Sequence, residues 1–69
     1  MLHVIDLMSV SAADMVFVIK ESSSGKILWS GTLRDFVREM TAFFMLYTQE
    51  VLTIDTDSAR GQRLLIIYI

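Results

Sequence analysis

Residues 15–20 (Met-Val-Phe-Val-Ile-Lys) are apolar on both sides of an extended chain, with Met15, Phe17 and Ile19 on one side and Val16 and Val18 on the other. The run is β-branched and aromatic and too short for an ordinary helix, so it predicts a strand covered on two faces. A polar stretch at 21–25 ends in Gly25, and Lys-Ile-Leu-Trp-Ser at 26–30 resumes the strand pattern. The two segments predict a β-hairpin with a loop of about five residues. Upstream, Leu2, Ile5 and Met8 fit one face of a short helix, and the small polar residues of 9–14 predict a turn.

Gly31 permits a sharp change of direction, and Thr32 followed by Asp35 predicts a helix start with a near-capping box. Leu33, Phe36, Val37, Met40 and Phe44 follow the spacing of a helix laid on a core, with Arg34, Asp35, Arg38 and Glu39 on the wet side. Residues 49–56 and 64–69 predict two more strands, joined by a turn over 57–62 that contains Gly61. The last strand is again apolar on both faces.

This order predicts one compact α+β domain over 1–69, with an N-terminal helix or arm in 1–14, a hairpin in 15–30, a main helix in 32–47 and a second hairpin in 49–69. The expected fold is a four-stranded antiparallel or mixed sheet in the order (α)ββαββ, with the main helix packed on one face. One helix covers one face of a sheet. The two-faced strands therefore call for a second cover, either the N-terminal segment or another subunit.

Residues 42–47 (Ala-Phe-Phe-Met-Leu-Tyr) bear on that question. If the helix runs on to Tyr47, Phe43, Phe44 and Tyr47 extend its core stripe. Ala42, Met45 and Leu46 then fall on the charged side and form an apolar contact patch. If the helix stops near Thr41, the run turns inward as a buried connection. Trp29 stands near its strand end, either buried under the helix or anchoring a partner.

Composition sharpens the picture. A chain of 69 residues buries only about 60 per cent of its unfolded surface, and such chains lean on disulfides, metals or oligomerisation. With no cysteine and His3 as the sole imidazole, self-association is the remaining support, and a dimer is the expected form. A hydrophobic fraction of 54% and a mean hydropathy of +0.54 predict a folded chain rather than a disordered one. The net charge of −2 is spread thinly, without the basic patch of a nucleic-acid binder. No apolar run reaches the roughly 18 to 20 residues of a membrane span, and residues 1–8 lack the basic and long apolar regions of a secretory leader. A cytoplasmic protein without membrane partner is expected, and the missing cysteines are compatible with a reducing compartment.

Candidate chemistry is sparse. Ser22-Ser23-Ser24-Gly25-Lys26 holds a Gly-Lys pair but lacks the second glycine, the following Ser or Thr and the helix of a phosphate loop. Asp55-Thr56-Asp57 opens like a calcium loop, yet Ala59, Arg60 and Ile66 stand where a ligand, a glycine and a bidentate glutamate are needed, so a strand end running into an Asx-type turn is expected. His3 has no second ligand at metal spacing, and the serines have no base and orienting acid. No cofactor, metal or catalytic residue is expected, and hence no enzyme. Arg34 and Arg38, one helical turn apart, are either an ordinary solvated face or a grip for a phosphate or carboxylate.

From Val16 onward the segments Val-Phe-Val-Ile-Lys-Glu, Ser-Gly-Lys-Ile-Leu-Trp-Ser-Gly-Thr-Leu-Arg-Asp-Phe-Val, Glu-Val-Leu-Thr-Ile and Leu-Leu-Ile-Ile-Tyr-Ile follow one another in an order that resembles very small accessory proteins of phages, prophages and their Gram-positive hosts. The resemblance lies in the order of element types. It implies a non-catalytic factor, some of whose kind inhibit host machinery, defence nucleases included, by stoichiometric binding. Residues 42–47 depart from it, being more apolar. The expected function is thus a self-associating protein–protein interaction protein, with an inhibitor of a host protein as its specific form. The alternative is an oligomer that sequesters a small ligand or nucleotide through Arg34 and Arg38.

Overall fold

A computed structural model describes residues 2–11, 14–59 and 61–69. Ala12 and Ala13 of the first expected turn and Arg60 of the last lie outside the described residues. The elements are α1 (Val4–Ser9), β1 (Val16–Lys20), β2 (Ile27–Gly31), α2 (Leu33–Arg38), α3 (Met40–Leu46), β3 (Thr53–Ala59) and β4 (Gln62–Tyr68). The strands form one mixed sheet in the order β2-β1-β4-β3. Each hairpin is antiparallel, and the two join through a parallel pairing of β1 with β4 that matches Val18 to Ile66. The two strands that the sequence marks as apolar on both faces are therefore the central ones.

The first hairpin closes through a built loop. The Glu21 N–H donates to the Lys26 carbonyl at 2.9 Å, the Gly25 N–H donates to the Glu21 carbonyl at 2.7 Å, and Gly25 takes φ +72. The hydroxyls of Ser24 and Ser23 donate to Glu21 Oε1 at 2.8 and 3.1 Å and hold that carboxyl below its ordinary pKa. The Gly-Lys pair thus sits in a turn stabilised by its own side chains.

The helix start falls where the capping signal puts it. The Asp35 N–H donates to Thr32 Oγ1 at 3.3 Å, and the Thr32 N–H donates back to Asp35 Oδ2 at 3.3 Å. The expected single helix over 32–47, however, is two. Glu39, at φ −82 and ψ 77, leaves the helical region between α2 and α3. The break changes which residues face the core. Ten residues at about 100° each would leave Leu46 about 80° away from Phe36 on a continuous helix; with the break, both are buried.

The core consists of Val4 and Met8 from α1, Phe36 from α2, Leu46 from α3, and Phe17, Ile19, Leu65 and Ile67 from the two central strands. The strand residues of this cluster are all on one sheet face, by alternation and register. All three helices therefore serve that face. The N-terminal arm does not cross to the other side, because its first residues are stapled to the segment after α3. Val4 N–H donates to the Gln49 carbonyl, Ile5 N–H to the Tyr47 carbonyl, and Val51 N–H to the Leu2 carbonyl, at 2.9, 3.1 and 2.9 Å.

This staple corrects two expectations. The face of α1 turned inward is Val4 and Met8 rather than Leu2, Ile5 and Met8, and Leu2 is exposed. The strand expected over 49–56 begins at Thr53 and runs to Ala59, since 49–51 are engaged with the N-terminal segment.

Candidate interaction surface

The three residues of the predicted contact patch, Ala42, Met45 and Leu46, line one hollow on α3 together with Leu28, Glu39 and Thr41, and they differ in burial. Leu46 is 9% exposed and belongs to the core, Ala42 packs against it, and Met45 is 65% exposed. Of the expected core stripe, Phe36 is buried and Leu33 half-buried, whereas Val37, Met40 and Phe44 are exposed. The cause is the break at Glu39, which turns Ala42, Phe43, Leu46 and Tyr47 inward and leaves Met40, Phe44 and Met45 as an outer ridge. Trp29 is half-buried, with its ring centroid 5.0 Å from that of Phe36, at one end of an aromatic row that continues through Phe43 to Tyr47.

Arg34 and Arg38 are both exposed on α2. Arg34 lines a shallow hollow with Thr32, Leu33 and Val37, while Arg38 lines another with Trp29, Ser30, Asp35 and Glu39. His3 Nδ1 lies 3.3 Å from Asp6 Oδ2, a contact local to the start of α1. Among the described residues no group of three or more His, Asp or Glu stands together, and no helix is long and apolar enough to cross a membrane.

A second apolar surface is the sheet face opposite the helices. Register places Val16 beside Leu64, Val18 beside Ile66 and Lys20 beside Tyr68 on the central strands, all half-buried. Asp57, Asp55 and Thr53 continue these rows onto β3, and Ser30 continues the middle row onto β2. The face thus has an apolar centre of Val16, Val18, Leu64 and Ile66, with Ile27 exposed beside Lys20 at its β2 corner and an otherwise polar border. Among the described residues no helix lies over it.

The sheet edges are blunted, each in its own way. On β4, Ile69 N–H donates to the Lys20 carbonyl and its own carbonyl accepts from Ser22, so odd-numbered residues there turn to β1 and even-numbered ones to β3. By the same alternation Ile54, Thr56 and Ser58 of β3 turn their amides to the free edge. Two of the three are occupied by side chains, Thr56 N–H donating to Asp55 Oδ1 at 2.8 Å and Ser58 N–H to Asp57 Oδ1 at 2.7 Å. The pair read from sequence as the start of a calcium loop is therefore a strand-edge cap. On the opposite edge, β2 is five residues long, and its register skips at Leu28, a bulge. Short, bulged or charged edges resist the addition of another strand.

Alternation within 15–19 and 64–69 carries the signal for the uncovered face; the edge caps leave none, because an Asp before Thr or Ser reads equally as a turn. Comparison with protein-family models, with curated proteins and with solved structures returned no match.

Proposed function

We propose that this chain is a non-catalytic protein–protein interaction protein that self-associates through the sheet face opposite its helices. The observation that carries the reading is the placement of α1, α2 and α3 on one face, which leaves Val16, Val18, Leu64, Ile66 and Tyr68 without cover. Sheets with such a face pack against a second sheet at about 10 Å. The resemblance to phage accessory proteins adds a host protein as the further partner of the assembled form. The alternative, an oligomer that sequesters a small ligand or nucleotide through Arg34 and Arg38, has less support, since the two side chains line separate hollows of the single chain.

Sedimentation velocity across micromolar concentrations tests the reading. The wild-type chain is expected to shift from monomer to dimer, and Val18→Lys, which puts a charge at the centre of the face, to weaken that association by at least about tenfold, or about 1.4 kcal/mol. A wild-type chain that stays monomeric throughout, or a Val18→Lys variant that is folded and associates as before, would overturn it.

A further inference from the structure

We infer that the second copy packs on this face about a two-fold axis running along the strands, so that β1 of each chain lies over β4 of the other. The inference rests on the self-association reading and specifies its geometry. Edge-to-edge joining is disfavoured by the Asp55 and Asp57 caps on β3 and by the short, bulged β2. The face carries no such block, and its charge pattern separates the two aligned ways of laying it on a copy of itself.

The face reads as three rows. One holds Val16, Leu64 and Asp57, the next Ser30, Val18, Ile66 and Asp55, and the third Ile27, Lys20, Tyr68 and Thr53. A two-fold axis across the strands lays every strand over its own copy and puts Asp55 on Asp55, two carboxylates facing each other where water is being excluded. Like charges so placed are destabilising, and desolvation adds to the cost. An axis along the strands exchanges β1 with β4 and β2 with β3. Val18 then meets Ile66 of the second copy, Val16 meets Leu64, and Asp55 meets Ser30, a hydroxyl donor. Lys20 meets Tyr68, where an ammonium over an aromatic ring is favourable. No charge meets its like.

Four strands at about 4.8 Å and five residues at about 3.3 Å span roughly 19 by 17 Å, about 300 Å² of sheet plane a side. This is small beside the about 800 Å² per partner of a standard interface. The dimer is therefore expected to be weak, and its geometry should be probed at high concentration.

The chain has no cysteine, so single-cysteine variants report the geometry cleanly. Ser30→Cys and Asp55→Cys chains are mixed above the concentration at which sedimentation detects dimer and treated with a short bismaleimide. The expected result is a cross-linked heterodimer from the mixture and little product from either variant alone. Efficient cross-linking of Ser30→Cys by itself, a chain that keeps the Asp55 and Asp57 carboxylates and in which residue 30 meets its own copy only when the axis runs across the strands, would assign that axis and overturn the inference while leaving self-association intact. The inference also falls if no combination cross-links although both variants sediment as dimers, which would move the contact off this face. A wild-type chain that never dimerises removes the reading beneath it instead.

Discussion

Gly31 shows how much one residue without a side chain decides here. It closes β2 at φ +151, and a Cβ placed on it would stand 2.8 Å from Trp29 Cη2, 3.0 Å from Trp29 Cζ2 and 3.3 Å from the Asp35 Cβ. The Trp29 ring cannot move away freely, because it leans on Phe36. Gly31→Ala is therefore expected to cost about 1–3 kcal/mol, the usual range for overpacking. Each kcal/mol lowers the melting temperature of a domain this size by about 4–8 °C. Thermal unfolding followed by circular dichroism checks the loss, and Trp29→Leu in the same background should restore part of it. A Gly31→Ala chain as stable as wild type would show that the tryptophan relaxes at no cost. The turn at Gly31 and the cap at Thr32 are both legible in the sequence, since they depend on the conformational range of one residue and one side chain. The contact of Gly31 with Trp29 is not, because it depends on how β2 meets α2.

At the scale of elements, the sequence predicts where strands and helix occur better than which way the helix faces. The first hairpin and the Thr32 start are local signals and fall in place, whereas the second hairpin is shifted, with β3 at Thr53–Ala59 and residues 57–59 of its expected turn inside that strand. The interruption at Glu39 has no glycine or proline to announce it. A continuous helix would set Phe36 and Leu46 about 80° apart; with the break both are buried. The consequence is a reversal of roles between neighbours: Leu46 is in the core and Phe44 is 61% exposed. Leu46→Ala is expected to cost about 2–5 kcal/mol, as for other large core residues, whereas Phe44→Ala should stay within about 0.5 kcal/mol, as for ordinary surface substitutions. Urea denaturation of the two variants measures the difference. A Phe44 variant as damaging as the Leu46 variant would restore the uninterrupted stripe of Leu33, Phe36, Val37, Met40 and Phe44.

For the molecule as a whole, self-association through the uncovered face as proposed would depend on the blunted edges too, because an apolar sheet that also offered a free edge would grow rather than stop at a dimer. A two-fold packing of faces is closed, while strand addition at an edge can propagate. β3 is the longer edge, with seven residues, and its outward amides at Thr56 and Ser58 are among the groups an incoming strand would need. The neighbouring carboxylates occupy those donors and repel the same edge of another copy. Replacing Asp55 and Asp57 together by Ala removes acceptor and charge at once, while Asn at both positions keeps the side-chain acceptor and removes the charge. Both sites are exposed, so the folded monomer should change in stability by no more than about 0.5 kcal/mol in either case. Assembly should differ. The Ala pair is expected to form species larger than dimers that grow with concentration, and the Asn pair to do so less, which light scattering at matched concentrations resolves. If the Ala pair stays within the wild-type distribution, the caps are not what limits growth, and the bulge at Leu28 and the twist of the sheet would have to suffice.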